Sequence, residues 1–176
     1  MSRGPLSEIR VAGTAGGGSR GLLMAGSLVV PCALGRSGIR HHKREGDGVS
    51  PSGRWRMVSA MYRPDRSPRP ATALPVDAIG PDDGWCDDPH HREYNRPVVL
   101  PFPPSHERLW RGDRLYDVVI VLDYNLAHPV PGRGSAIFLH IARQDLAPTE
   151  GCIAIAPAAM RRLLARVGPE TVLHIR

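Results

Sequence analysis

The sequence predicts a mainly β fold with one C-terminal helix and long loops. Its 176 residues include 19 Gly and 18 Pro, spread through the chain as single breakers between short apolar runs. Such punctuation favours many short strands over long helices. A chain of this length can build one sizeable core, so we expect residues 1–176 to form a single domain.

The first half of the chain predicts strands separated by polar loops. A short strand covers Glu8 to Val11, and the glycine-rich "AGTAGGGSRG" is interpreted as a hairpin loop, because it lacks the Lys-Ser/Thr of a phosphate-binding loop. Residues 22–34 are predicted as a pair of core strands around a turn. The long polar loop "GRSGIRHHKREGDGVSPSG" then leads to a strand at "RWRMV".

Proline and glycine dominate residues 64–104, where no helical or strand period is sustained. A connection this long is normally a functional loop over a site or a disordered segment. The embedded "GWCDDPHHREYNRPV" favours a functional loop, because large aromatic side chains are costly to leave in water.

The last third predicts three apolar strands, a helix and a closing strand. Val118 to Leu122 is apolar on both faces, so we expect it in the middle of a sheet. The next two strands are "SAIFLHIAR" and "CIAIA". Pro157 opens the helix "PAAMRRLLARVG", with apolar residues on one face and Gly168 past its end. The final strand is "TVLHIR".

The chain is basic, with 23 Lys and Arg against 17 Asp and Glu and a net charge of +6. A basic surface suits nucleic acid, membrane or an acidic cell-wall polymer. The charges form no block, and the richest segment, "RHHKREGDG", contains its own acids. Because no helix-turn-helix, zinc-finger or aromatic RNA-binding pattern accompanies it, we expect no nucleic-acid partner.

Three cysteines, Cys32, Cys86 and Cys152, form an odd set without CxxC spacing, which excludes a full disulfide framework. A Cys32–Cys86 bridge stays open. The run "GLLMAGSLVVPCALG" at residues 21–35 imitates an export signal, but polar and proline breaks interrupt it and it is too short to span a bilayer. We therefore expect no membrane span and identify no clear signal peptide.

Cys152 and His140 are the candidate catalytic pair. A thiol attacks a carbonyl as the thiolate, so it needs a base within reach and an oxyanion hole. His140 ends one apolar strand and Cys152 begins another, which places both at one rim if the strands are neighbours. Gly151 lets substrate approach the backbone closely. Both residue types are also common in buried structural positions, so the pattern alone leaves that interpretation open.

The ordered landmarks around this pair resemble the L,D-transpeptidase (YkuD-like) family, whose catalytic pattern is His, a loop and then Ser/Thr-x-Gly-Cys. The pieces "FLH" and "TEGCIAI" match it, "VVPCALGRSG" is similar to the family's strand ending in Val-x-x-Gly, and "GVSPSGRWRM" to its Thr-Pro-x-Gly-x-Phe. The resemblance covers nearly the whole chain. It implies a mixed-sheet β-sandwich or barrel, no metal or other cofactor, and acyl transfer between a donor and an acceptor peptidoglycan stem peptide.

By this resemblance Cys152 is the nucleophile and His140 the base, while Thr149 and Gly151 match the small positions that shape the oxyanion hole. A thioester forms, and an amine of a second stem captures the acyl group; capture by water would be hydrolysis. The substrate class implies a periplasmic location. The oligomeric state stays open.

Two positions depart from the family pattern, which commonly has His before the glycine and Arg or Asn two places after the cysteine. Here they are Glu150 and Ala154. A branch lacking the second polar residue is associated with cross-links from L-Ala in position one to the diaminoacid in position three, and this chain looks closer to that branch. Glu150 and Ser135 are further candidates for substrate contact.

The loop "GWCDDPHHREYNRPV" fits no tetrahedral zinc spacing. We interpret it as a cleft wall with aromatic stacking surfaces and polar contacts for an amine-bearing acceptor. For Trp85, filling of the core is an equal alternative. The stacking residues are Trp85 and Tyr94, and the polar ones are Asp87, Asp88 and Asn95.

Two rival functions stay open beside a transpeptidase. The first is a cysteine peptidase or amidase that trims stem peptides by the same chemistry. The second is a non-catalytic cell-wall-binding module that keeps the fold.

Overall fold

The computed structural model describes residues 4–16 and 18–176. The part of the chain that it describes contains fourteen strands and one α-helix. The first seven strands are β1 (Glu8–Gly13), β2 (Arg20–Ala25), β3 (Leu28–Ala33), β4 (Ile39–Arg40), β5 (Ser50–Pro51), β6 (Gly53–Tyr62) and β7 (Val76–Ala78). The others are β8 (Asp83–Cys86), β9 (Pro97–Val99), β10 (His106–Arg108), β11 (Val118–Leu122), β12 (Phe138–Ile141), β13 (Ile153–Ile155) and β14 (Val172–Ile175), with α1 (Pro157–Leu164) before the last.

Nine of these strands form one mixed sheet that closes into a barrel. Their order is β11-β12-β13-β3-β2-β1-β14-β6-β7, and β11 also pairs with β6, so that β7 extends from the closed ring. The pairs β1–β14, β12–β13 and β6–β7 are parallel, and the other neighbours in this sheet are antiparallel. The predicted mainly β, mixed-sheet fold with a C-terminal helix is confirmed.

Alternation along the strands separates an apolar interior from an outer face. On β12 and β13, Leu139, Ile141, Ile153 and Ile155 belong to the main core cluster, which fills the barrel. The helix α1 contributes Met160, Leu163 and Leu164 to the same cluster. Its apolar face is therefore as predicted, although the helix ends at Leu164 and a turn follows before Gly168.

The proline-rich middle of the chain covers the outer face of β11 and β12. Strands β10, β8 and β9 form a small antiparallel sheet. Trp85 and Leu109 from this segment pack in a second cluster, which we call the outer cluster, against Val119, Val121 and Phe138 of the barrel. The interpretation of residues 64–104 as one long loop was wrong in part, since β7, β8 and β9 lie there. Strands of three or four residues are too short to show a period.

The run at residues 21–35 is built into the barrel. Strands β2 and β3 pair along their whole length, from Arg20↔Ala33 to Ala25↔Leu28, which confirms the predicted pair of core strands. Across residues 4–16 and 18–176, the structure contains no helix with the length and apolarity needed to cross a membrane. All three cysteines are free thiols.

Candidate active site

The register of β12 and β13 places Cys152 and His140 on one face. The strands are parallel, with Leu139 opposite Ile153 and His140 opposite Ala154. Side chains alternate along a strand, so those that flank the inward-facing Leu139 and Ile153 point out of the barrel. The structure therefore brings His140 and Cys152 together, and both line a cavity of about 390 Å³.

The Cys152 thiol lies in a groove of backbone atoms. Its S–H donates to the Ala136 carbonyl, with 3.2 Å between sulfur and oxygen, and Sγ accepts from the Phe138 N–H at 3.4 Å. Burial raises the pKa of the Cys152 thiol to about 12, and the Phe138 N–H opposes that shift. The resting cysteine is therefore a neutral thiol.

The His140 ring is oriented by its own strand. Nδ1 lies 2.9 Å from the Ile141 carbonyl oxygen, which accepts only from a protonated nitrogen. This bond selects the tautomer with a bare Nε2, the atom that a general base uses. The Tyr116 ring packs edge-on against the imidazole, 5.3 Å between centroids. Burial lowers the pKa of His140 to about 4, so the ring is neutral at pH 7.

The turn before Cys152 is held by side-chain hydrogen bonds. Thr149 Oγ1 donates to the Cys152 carbonyl at 2.6 Å and accepts from the Gly151 N–H at 3.1 Å. Ser50 Oγ donates to the Gly151 carbonyl at 2.9 Å. Gly151 has φ +136°, and a Cβ there would lie 2.7 Å from the Val49 carbonyl oxygen, so glycine is required.

Glu150 and Ser135 also line the cavity. Glu150 is exposed and forms an ion pair with Arg36. Ser135 is buried, and its hydroxyl donates to Glu45 Oε2 at 2.8 Å. Ala154 lies on the same wall and is buried, so the departure from the family pattern leaves an apolar surface beside His140.

Of the five residues predicted as a cleft wall, only Asp87 lines the cavity. Trp85 is buried in the outer cluster, where its ring meets Phe138 edge-on at 5.1 Å and its Nε1–H donates to Asn95. Tyr94 is also buried, and its hydroxyl donates to Glu45 Oε2 at 2.5 Å. Their aromatic surface is used in packing, so the predicted stacking role does not fit their positions.

Asn95 and Asp88 form hydrogen bonds to the backbone and do not line the cavity. Asn95 Oδ1 accepts from the Ala136 N–H at 3.0 Å, and its Nδ2 donates to the Asn125 carbonyl at 2.7 Å. It thereby ties the loop to the segment that leads into β12. Asp88 accepts from the His90 N–H at 2.9 Å and closes a local turn.

The His, Cys, Asp and Glu residues of the loop "GWCDDPHHREYNRPV" do not assemble into a metal site. Across residues 4–16 and 18–176, no three His, Cys, Asp or Glu side chains are grouped so that they could hold a metal ion. Cys86 is buried on β8. Its backbone N–H donates to the Arg96 carbonyl, and its own carbonyl accepts from the Asn95 N–H.

Several residues of the site were missed in the sequence. Lys43 and Glu45 line the cavity, and Ser50 supports Gly151 from the same polar loop. No site residue is predicted in this polar loop, because its basic residues are accompanied by acids. Its one useful signal is that its end, Gly48 to Ser50, belongs to the "GVSPSGRWRM" landmark. Tyr116, which contacts His140, lies just before the predicted strand Val118–Leu122 and is not among the predicted site residues.

Comparison with known proteins gives one finding. A family model described as the YkuD L,D-transpeptidase catalytic domain matches residues 22–175. No curated protein and no solved structure matches the chain.

Proposed function

This chain belongs to the L,D-transpeptidase catalytic domain family, and we propose that it is a cysteine acyltransferase that cross-links peptidoglycan stem peptides. The observation that carries this proposal is the shared face of Cys152 and His140. Both side chains line one cavity, and the backbone bond at Nδ1 leaves His140 Nε2 bare to take a proton.

In the first half-reaction, the Cys152 proton passes to His140 Nε2 as sulfur attacks the donor carbonyl. With pKa values of about 12 and about 4, a resting thiolate–imidazolium pair is unfavourable, so proton transfer accompanies the attack. The backbone N–H of Cys152 donates to the oxyanion. The amide C–N bond breaks, the imidazolium gives its proton to the departing amine, and a thioester remains.

In the second half-reaction, an acceptor amine attacks the thioester. His140 takes a proton from this amine, the C–S bond breaks, and the sulfur recovers its proton. Asp87 is the acceptor contact that we retain from the sequence. Its Oδ1 is buried without a hydrogen-bond partner among the described residues, and a carboxylate oxygen in this position favours contact with the N–H groups of an amine.

The apolar wall at Ala154 supports a donor bond other than the usual one after position three of the stem. We propose that the enzyme forms cross-links from L-Ala in position one to the diaminoacid in position three. A carboxylate on the donor would be met by Arg143, which lines the cavity and has no ion pair within the described part of the chain. This substrate lies outside the cytoplasmic membrane, so we place the enzyme in the periplasm.

Mass spectrometry of muropeptides incubated with the protein tests this function. New dimers whose fragmentation places the bond between L-Ala and the diaminoacid support the proposal in full. Dimers joined by another bond support transpeptidation but overturn the proposed donor bond. Shortened monomers alone indicate hydrolysis. Cys152→Ala must abolish every product, and Cys86→Ala is the matched control. Binding without any product would identify a non-catalytic wall-binding module.

A further inference from the structure

Lys43 is a buried cation beside the nucleophile. Its side chain is 2% exposed, although lysine is almost never fully buried unless it is paired. Arg63 is the other buried cation in the described part of the chain, and it packs on Trp110 and pairs with Asp65. Lys43, by contrast, lines the cavity that contains Cys152.

Asp47 holds the Lys43 ammonium in place. Nζ lies 2.9 Å from Asp47 Oδ1 and donates to the Arg44 carbonyl at 3.4 Å. The same carboxylate accepts from the backbone N–H groups of Arg44 and Val49, at 2.6 and 2.9 Å. One side chain thus fixes both the loop and the cation. Lysine has three N–H donors, so one is left for negative charge that develops in the cavity.

Two glycines make room for this lysine at the nucleophile. A Cβ on Gly151 would lie 3.1 Å from Lys43 Nζ, and a Cβ on Gly134 would lie 2.8 Å from its Cε. Gly151 directly precedes Cys152 in the chain. The ammonium is therefore in van der Waals reach of the peptide that carries the nucleophile, and low solvent access strengthens its field there.

The other charged groups that line the cavity do not stabilise a Cys152 thiolate in the same way. Glu107 lines the cavity and disfavours a thiolate, as does the burial of the sulfur. Glu45 is a further acid on the lining. Arg111 is already engaged by Asp113, at 2.8 Å, and by Glu107 at 3.5 Å. Arg143 is exposed, so water and salt screen its charge.

We propose that the Lys43 ammonium is the positive charge that stabilises the Cys152 thiolate, and that Asp47 positions it beside Gly151. This role rests on Cys152 being the nucleophile of the proposed function. In this role, Lys43 acts on the cysteine through space and takes no part in proton transfer.

The rate of Cys152 alkylation by iodoacetamide tests this role without any peptidoglycan. The reagent is neutral, attack needs the thiolate, and peptide mass spectrometry separates the three cysteines. Lys43→Met keeps the apolar stem and removes the charge. We expect about tenfold slower alkylation at each pH between 6 and 9, since a nearby opposite charge shifts a pKa by about one unit or more.

Two further variants separate charge from structure. Arg44→Met removes an exposed cation from the same loop, and its rate must stay within about twofold of the wild type. In Asp47→Asn the amide oxygen can still accept from Lys43 Nζ and from the Val49 N–H. The ammonium therefore stays in place while its negative partner is lost, so Cys152 must react faster. A damaged loop would also expose other thiols, so the rate at Cys32 in the barrel serves as the internal reporter and must not change.

Unchanged alkylation in Lys43→Met, or slower alkylation in Asp47→Asn, overturns the proposal. If circular dichroism shows that Lys43→Met does not fold, Asp47→Asn alone decides the test. A rate of Cys152 alkylation equal to or below that of the wild type then refutes the role. The muropeptide assay fails or succeeds separately, because it measures products and not thiol ionisation.

Discussion

The inner and outer faces of the barrel each bury a cysteine, and the two cysteines have different surroundings. Cys32 on β3 lies opposite Ile155 inside the main core cluster. Cys152 lies on the outer face, in contact with Phe138 and the cavity. Burial raises the pKa of both thiols to about 12. Neither exposure nor pKa therefore distinguishes the core thiol from the proposed nucleophile.

The neighbours of each thiol make the distinction. Cys32 is surrounded by aliphatic side chains of the core. Cys152 shares its face with His140, whose Nε2 is bare, and with Lys43 across Gly151. A single-residue step along β12, from Leu139 to His140, separates a packing position from the proposed catalytic one. The same short strands can thus carry the core on one side and the chemistry on the other.

Removal of the base should give the largest effect. His140→Gln leaves no group to take the Cys152 proton, so we expect muropeptide turnover to fall by about 10²- to 10⁴-fold. Initial rates of dimer formation measure it. His174→Gln, on β14 away from the cavity, is the matched control and should keep wild-type rates. Wild-type turnover in His140→Gln would remove the histidine from the mechanism.

The neighbouring inward position should affect stability instead. Leu139 is fully buried in the barrel, so we expect Leu139→Ala to lower the free energy of unfolding by about 2 to 5 kcal/mol. Denaturant titration measures this loss, and the turnover of the folded fraction should stay within a few-fold of the wild type. A variant that stays stable but loses turnover would contradict the division between the faces.

The buried imidazole also makes stability depend on pH. In the folded state the pKa of His140 is lowered from 6.5 to about 4, so between these values the unfolded chain binds the extra proton. Stability is thus fully present above pH 6.5 and is lost as pH falls towards 4, by about 3 kcal/mol. Urea titrations at steps of pH should show this slope in the wild type. An equally steep slope in His140→Gln would mean that other titratable groups cause the pH dependence of the unfolding free energy.

Much of the fold was predictable because its long apolar runs have a clear period. Val118–Leu122 was predicted with its observed bounds, and the β2–β3 pair and the helix start at Pro157 were also found. Strand β6 is longer than the predicted "RWRMV", because its second half pairs with β11, which is remote in sequence. The short strands β7 to β9 are likewise defined by their partners, and so residues 64–104 gave no local signal.

The candidate site likewise contains residues that a local sequence pattern predicts and residues that only distant contacts define. Cys152 and His140 were found from an ordered motif, whereas Lys43 and Ser50 belong to a charged loop whose burial depends on contacts more than ninety residues away, such as Ser50 with Gly151. Tyr94 shows the opposite error, and Trp85 takes the core role that was predicted as an equal alternative. An aromatic residue in a loop suits a ligand surface or a core equally well, and here the outer cluster and the Glu45 hydrogen bond bury them.

Peptide mapping after incubation with a carbapenem tests most directly that Cys152 is the nucleophile. Thiol addition opens the strained amide without loss of any atom, so the protein mass must rise by the whole mass of the drug. We predict one adduct, on Cys152, that is absent in Cys152→Ala and forms more slowly in His140→Gln. An adduct on Cys32 or Cys86, or none on a folded wild-type protein, would contradict the account.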